Sequence, residues 1–150
     1  MTGFILLWYW LALDVKSYDK NLNILLPNWF EIFGIAIMII GGIITIICGG
    51  IFSFKGKGTP APFDSPREFV ASGPYKFVRN PMYIGGGMVL IGFGMYELSF
   101  SMILFSFVWL LFFHLLVLFY EEPVLEKKFG QSYLEYKKNV NRWLPRFKSR

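Results

Sequence analysis

Two adjacent carboxylates, Glu121 and Glu122, follow directly on a long apolar stretch of the chain. Carboxylates beside a membrane crossing are costly to desolvate, so a cationic partner is expected. That partner could be Arg79, a lysine of the C-terminal tail, or a bound cationic ligand. The pair is therefore the first candidate for a binding site.

A second polar group stands at the predicted start of a helix. Pro81 suits the first helical turn, where a missing N–H costs nothing. Arg79, Asn80 and Tyr83 would then cluster at a helix N-terminus, which favours anionic groups. An anchor at the level of the lipid headgroups explains the same residues equally well.

His114 lies seven residues before Glu121. That spacing is two turns of an α-helix and predicts a shared face. A neutral histidine hydrogen-bonded inside the helix bundle is favoured over a catalytic role, and both interpretations stay open.

Other site chemistries find no support in the residue pattern. No Cys and His cluster has metal-ligand spacing, so no metal site is expected. Gly56-Lys57-Gly58 fits neither the dinucleotide fingerprint nor the P-loop. Cys48 lies in an apolar run and is interpreted as a buried, inert thiol.

The elements that must position these residues are membrane helices. Of 150 residues, 55% are hydrophobic and only 17% are charged, too few to cover a small soluble domain. The sequence predicts an all-α, polytopic membrane helix bundle with about four transmembrane helices, ending in a helical hairpin that turns at Glu97 to Ser99. The predicted helices run over Phe4 to Leu13 (marginal), Trp29 to Phe54, Ile84 to Tyr96, and Phe100 to Tyr120.

Basic residues predict the orientation. The loop 55–80 holds five basic and two acidic residues, the tail 121–150 eight and four, and the segment 14–28 two of each. The positive-inside rule then places the loop and the tail in the cytoplasm and 14–28 outside. Nucleic acid is not an expected partner, because the charge is split between two membrane-flanking segments.

Five glycines, at positions 85, 86, 87, 92 and 94, precede the hairpin turn. A close-packing face between membrane helices is the favoured interpretation. Close approach of the backbone to a ligand is the alternative.

Five sequence blocks, in this order, resemble the integral-membrane S-adenosylmethionine-dependent methyltransferases of the isoprenylcysteine carboxyl methyltransferase type, which are related to the phospholipid N-methyltransferases. The resemblance covers about Gly58 to Phe147 within a single expected domain, 1–150. The blocks are Ser72-Gly73-Pro74-Tyr75, Arg79-Asn80-Pro81-Met82-Tyr83-x-Gly85, Glu121-Glu122-x-x-Leu125, Phe129-Gly130-x-x-Tyr133-x-x-Tyr136 and Val140-x-Arg142-Trp143-x-Pro145.

The resemblance implies methyl transfer from S-adenosylmethionine to a lipophilic acceptor, in a multi-pass membrane protein whose cofactor site lies on the cytoplasmic side under the loop and tail. It implies that Glu121 takes the cofactor's ammonium, that Arg79 or the helix start near Asn80 takes its carboxylate, and that Tyr75 or Tyr83 stacks on its adenine. The catalytic candidates are Glu121, Arg79 and His114, the last from its spacing to Glu121 rather than from the resemblance. The implied cofactor contacts are Val70, Tyr75, Asn80, Pro81, Met82, Tyr83, Glu121 and Glu122.

Two departures from the resemblance leave the acceptor open. Asn80 stands where the isoprenylcysteine enzymes commonly have histidine, and Val117 stands where the eukaryotic ones carry a substrate-contacting arginine. A lipid amine or thiol is therefore an alternative to a prenylcysteine carboxylate. Other classes that remain are an NADPH-dependent oxidoreductase of the sterol-reductase type and a non-enzymatic membrane binding protein. Nothing in the sequence sets the oligomeric state.

Overall fold

A computed structural model describes residues 10–22, 24–56 and 69–145, and these residues are helical apart from short connections. They contain no β-strand, only one isolated bridge between Val78 and Asn141. The predicted all-helical fold is confirmed for this part of the chain. The helices are α1 (10–16), α2 (Asp19–Leu22), α3 (Trp29–Gly56), α4 (Pro81–Tyr96), α5 (Phe100–Leu116), α6 (Glu122–Phe129) and α7 (Gln131–Asn139), with a 3-10 turn at Gly73–Lys76 and a π-helical turn at Val117–Glu121.

Two helical stretches in the described residues are long and apolar enough to cross a membrane. They are Trp29–Gly56 and Phe100–Phe129, and the most apolar 18 residues of each have a mean hydropathy of 2.6. Only 17% and 28% of these 18-residue segments are buried by the rest of the protein. A core helix of a soluble protein would be mostly buried. The two helices therefore indicate membrane association.

Of the four predicted crossings, two correspond to described helices that are long and apolar enough to span a membrane. Helix α4 is apolar but has 16 residues, which span about 24 Å against a hydrocarbon core of about 30 Å. The predicted first helix falls mostly outside the described residues, although 10–13 are helical. Four crossings, and their orientation, stay predictions.

Contacts group the chain into two compact units, Met1–Gly42 with Gly86–Phe112, and Ile43–Gly85 with Phe113–Arg150. In the first unit, the predicted hairpin turn is confirmed. Helix α4 ends at Tyr96, and Leu98 adopts a positive φ of 49°. The buried Ser99 then caps α5, because its Oγ accepts a hydrogen bond from the Met102 N–H at 3.1 Å.

Glycines bring α4 close to its neighbours in the first unit. A Cβ added at Gly92 would lie 2.6 Å from the carbonyl oxygen of Gly34, and one at Gly94 would lie 2.9 Å from the Ile103 nitrogen. No side chain fits at such distances. The close-packing interpretation of the glycine run is confirmed at these positions.

The second unit has a small core that supports the candidate site. Cys48, Val70 and Tyr75 are buried together, and Met82 packs against them. Gly73 precedes Tyr75 with a φ of +60°, and a Cβ there would lie 2.5 Å from the Ile51 side chain. Cys48 is fully buried, as expected of an inert thiol. That 1–150 acts as a single domain stays a prediction.

Candidate functional site

The helix that carries the two glutamates changes its hydrogen bonding just before them. Across Val117–Glu121 it is a π-helix, and the Glu122 N–H donates to the Val117 carbonyl oxygen, five residues back. Such turns occur frequently at functional sites. The wider turn shifts the register after His114, so the spacing of seven no longer implies that His114 and Glu121 share a face.

Glu122 is the centre of an ion cluster. Its carboxylate is almost fully buried and accepts hydrogen bonds from Arg142 Nε at 2.6 Å and Arg142 Nη2 at 3.0 Å. Arg79 Nη1 lies 3.0 Å and Lys137 Nζ 3.2 Å from the same carboxylate. Glu122, predicted as a cofactor contact, thus has the structural partners that the sequence offered as the alternative, Arg79 and a tail lysine.

Lys137 ties the cluster to a second carboxylate. Its ammonium also pairs with Glu126. The hydrogen bond to Glu126, and then the contacts with Glu122, raise the pKa of Lys137 above its ordinary value. The lysine therefore stays charged at neutral pH and continues to neutralise Glu122.

Glu121 has a different environment from its neighbour. The hydroxyl of Tyr83 donates a hydrogen bond to Glu121 Oε1. Among the described residues, no basic side chain forms an ion pair with Glu121. The Tyr83 ring in turn stacks on Phe113, with 4.5 Å between the ring centroids. One of the two adjacent carboxylates is thus neutralised, and the other is held by Tyr83 without a countercharge from the described residues.

Arg79 retains unused hydrogen-bonding capacity. Its side chain is only 8% exposed. Within the described part of the chain, Nε has no hydrogen-bond partner, and Nη1 contacts Glu122 without the alignment of a hydrogen bond. Buried guanidinium N–H groups are seldom left unpaired. The site therefore offers donors for an anionic group beside Glu122.

The remaining predicted cofactor contacts lie around the start of α4. Val70, Tyr75 and Met82 belong to the small core with Cys48. Pro81 begins α4 and is buried, and Asn80 Nδ2 donates to the Arg142 carbonyl oxygen at 3.4 Å. Asn80 is thereby linked to Arg142, a member of the ion cluster, and the roles of all these residues in cofactor binding stay predictions.

Aromatic side chains connect the loop before α4 to the C-terminal helices. Phe69 forms ring contacts with Phe129, Tyr133 and Tyr136, and the Tyr136 hydroxyl donates to the Tyr75 carbonyl oxygen. Burial raises the pKa of Tyr133 to about 12, so its hydroxyl stays protonated. This cluster anchors the loop that carries the predicted cofactor contacts.

Three consecutive tail residues fasten the tail to the site. The Arg79 N–H donates to the Asn141 carbonyl oxygen at 2.9 Å. Arg142 binds Glu122, and Trp143 Nε1 donates to His114 Nδ1 at 2.9 Å. Sequence reasoning assigned these residues no individual role. The signal that could have found them is the block Val140-x-Arg142-Trp143-x-Pro145, which is part of the resemblance. His114 is hydrogen-bonded inside the protein, as the favoured interpretation expected.

Comparison with known proteins identifies the family. The family described as phospholipid methyltransferase matches residues 29–132, which include Arg79, His114, Glu121 and Glu122 but not the tail contacts. No curated protein matches the chain. The match covers more than half of the sequence and agrees with the resemblance noted in its polar blocks. The chain belongs to the phospholipid methyltransferase family.

Proposed function

We propose that the protein transfers a methyl group from S-adenosylmethionine to a lipophilic acceptor in the membrane. Membership of a methyltransferase family supports the reaction class. The observation that carries the proposal is the pair formed by Glu121, a carboxylate without a basic partner in the described residues, and Arg79, a buried guanidinium with unused donors.

The amino-acid end of S-adenosylmethionine fits this pair of charges. Its ammonium can donate to Glu121, and its carboxylate can accept from Arg79 or from the N–H groups at the start of α4. Glu122 is not available for the ammonium, because Arg79, Lys137 and Arg142 already surround it. Glu121 therefore has the role of ammonium ligand, and Glu122 has the role of anchor.

Within the reaction, the protein's residues hold groups in line. When bound, S-adenosylmethionine supplies a methyl group on a positively charged sulfur, a leaving group that needs no protonation. Tyr83 fixes the Glu121 carboxylate through its hydroxyl, and Phe113 supports the Tyr83 ring. Alignment of the attacking atom, the methyl group and the sulfur, rather than acid or base catalysis, is then the main contribution to the rate enhancement.

The acceptor is proposed to be a lipid amine or thiol rather than a prenylcysteine carboxylate. Val117 is 1% exposed, so the arginine found there in the eukaryotic carboxyl methyltransferases has neither a counterpart nor room in this chain. A carboxylate bound without a cation would cost several kcal/mol to desolvate. An attacking group that is neutral, an unprotonated amine or a thiol, avoids that cost and releases its proton to water once the methyl group has been transferred.

The membrane location of the site is also proposed from charge. The loop before α4 and the tail that closes the ion cluster are both rich in lysine and arginine. By the positive-inside rule, the cofactor site then faces the cytoplasm, where S-adenosylmethionine is made. The protein would be a multi-pass membrane enzyme.

An NADPH-dependent reductase is a weaker candidate. A polyanionic dinucleotide would bring phosphates towards Glu121, whose charge no described basic side chain neutralises. A non-enzymatic binding protein would bind S-adenosylmethionine without turnover.

Transfer of a labelled methyl group in detergent or bicelles tests the proposal. The acceptors are phosphatidylethanolamine, a long-chain lipid thiol and N-acetyl-farnesylcysteine. Transfer to the amine or the thiol that exceeds transfer to the farnesylcysteine would support the proposal. Binding of S-adenosylmethionine without transfer to any acceptor would favour the binding protein, and preferred methylation of the farnesylcysteine would contradict the assigned acceptor class.

A further inference from the structure

The hydrogen bond between Trp143 and His114 fixes which nitrogen of the imidazole carries the proton. The two ring nitrogens, Trp143 Nε1 and His114 Nδ1, are 2.9 Å apart. An indole nitrogen can donate but cannot accept. Nδ1 must therefore be the unprotonated acceptor, and the proton of the neutral imidazole lies on Nε2.

The N–H at Nε2 has no described partner. Of the residues that the structure describes, His114 makes its hydrogen bond and its ring contact with Trp143 alone. The side chain is half-buried, in a helix that is otherwise almost entirely apolar. A polar donor in such a segment is costly unless it serves a ligand or a neighbouring group.

Both members of the pair adjoin residues of the candidate site along the chain. His114 follows Phe113, whose ring supports Tyr83 and through it Glu121. Trp143 follows Arg142, which binds Glu122. The His114–Trp143 contact is therefore formed by residues directly next in the chain to those that hold the two carboxylates.

We propose that His114 binds the methyl acceptor, donating a hydrogen bond from Nε2 to an oxygen of the acceptor's lipid headgroup region, with Trp143 as the positioning residue that sets the tautomer. This inference rests on the proposed function and names one contact of its acceptor. A phosphate oxygen and an ester carbonyl oxygen share the required acceptor chemistry. With Nε2 protonated, His114 is not the base that removes a proton from the attacking group.

The tautomer can be measured directly, because His114 is the single histidine of the chain. The full-length protein, purified with a histidine-free tag, is labelled with [15N]histidine and placed in micelles of a maltoside detergent, whose headgroup carries neither a phosphate nor an ester carbonyl. We expect a protonated Nε2 and an unprotonated Nδ1. Addition of short-chain phosphatidylethanolamine should shift the Nε2 resonance more than the Nδ1 resonance, and Trp143→Phe should leave a mixture of tautomers. A protonated Nδ1, or an Nε2 signal unmoved by saturating lipid, would overturn the proposal.

Two substitutions separate acceptor binding from simple anchoring of the tail. His114→Asn keeps an acceptor oxygen near the position of Nδ1, so Trp143 can still donate, but it removes the Nε2 donor. His114→Gln places an amide N–H near Nε2 and gives up the acceptor for Trp143. We expect the asparagine variant to raise KM for phosphatidylethanolamine about five- to tenfold, the value of one hydrogen bond. The glutamine variant should stay within about threefold of the parent, and the Kd of both for S-adenosylmethionine should be unchanged.

The outcomes also distinguish this inference from the proposed function. If the parent transfers methyl groups but the glutamine variant is the more impaired, the pair only anchors the tail and the inference is wrong. If the parent transfers no methyl group to any acceptor, the proposed function is wrong, and the NMR titration still shows whether the lipid reaches His114.

Discussion

Replacement of Glu121 and Glu122 one at a time by glutamine separates cofactor binding from stability. Glutamine keeps the shape of each side chain and removes its charge. Because the two carboxylates have different partners, one substitution should change cofactor affinity and the other should change stability. Glu121→Gln should weaken S-adenosylmethionine binding at nearly constant stability, and Glu122→Gln should mainly lower stability.

The magnitude for Glu122 follows from its burial and its cations. The side chain is 4% exposed and lies within 3.2 Å of three basic groups. Removal of one partner from a buried ion pair costs about 3–5 kcal/mol. Arg142 and Lys137 remain partly exposed and can be resolvated, so the lower end applies. A loss of about 3 kcal/mol corresponds to roughly 6–12 °C in the unfolding midpoint of a chain of this size.

The magnitude for Glu121 follows from the absence of a basic partner in the described residues. An amide oxygen can still accept the Tyr83 hydroxyl proton, so we expect little change in the free energy of unfolding. The ammonium of S-adenosylmethionine would lose a charge-assisted hydrogen bond worth about 1.5–3 kcal/mol. That loss corresponds to a rise in Kd of about tenfold to a hundredfold.

Both quantities are measured on the same detergent-solubilised samples, binding by calorimetric titration and stability by thermal unfolding. Glu126→Gln is the matched control, because Glu126 is 34% exposed and pairs with Lys137 alone among the described basic residues. It should change stability by no more than about 1 kcal/mol and leave binding unchanged. The reasoning is refuted if Glu121→Gln binds like the parent, or if Glu122→Gln keeps the parent's midpoint while losing affinity.

Three further predictions concern packing, orientation and the acceptor. Gly92→Ala should lower the unfolding midpoint, because its Cβ would lie 2.6 Å from a carbonyl oxygen of the facing helix. Gly42→Ala, which has open space around it, should not lower the midpoint, and equal midpoints for the two variants would contradict the packing. In a background without the native cysteine, an impermeant thiol reagent should label Leu25→Cys, but not Ser132→Cys, from outside intact cells, and the reverse pattern would invert the orientation. Val117→Arg should unfold the protein at a lower temperature rather than create farnesylcysteine activity, since Val117 is 1% exposed; a stable variant with that activity would contradict the assignment.

The helix boundaries near the site were largely predictable from local signals. Pro81 marks the start of α4, and the polar Glu97 to Ser99 segment marks the turn before α5. A proline at the first turn and a serine cap act through their own backbone neighbours. Signals of this kind need no knowledge of the tertiary structure. The cationic partner of the glutamate pair was predictable in type, but not in its assignment to Glu122 alone.

The π-helical turn was not predictable from the sequence. Residues from Phe100 to Leu116 are apolar on nearly every face of the helix. The sequence therefore has no alternation of polar and apolar positions that would show where the helical register changes. The tail contacts were missed for another reason. Arg142 and Trp143 bind residues 20 and 29 positions earlier in the chain, and such pairings depend on the folded arrangement rather than on local spacing.

The most direct test of the proposed function is the binding of S-adenosylmethionine to the purified protein. Detergent-solubilised protein is titrated calorimetrically with S-adenosylmethionine and, separately, with NADPH. We predict saturable binding of S-adenosylmethionine at one site per chain, lost or weakened in Glu121→Gln, and no binding of NADPH. Saturable binding of NADPH without binding of S-adenosylmethionine would contradict the assignment of the Glu121 and Arg79 pair to a methyl donor.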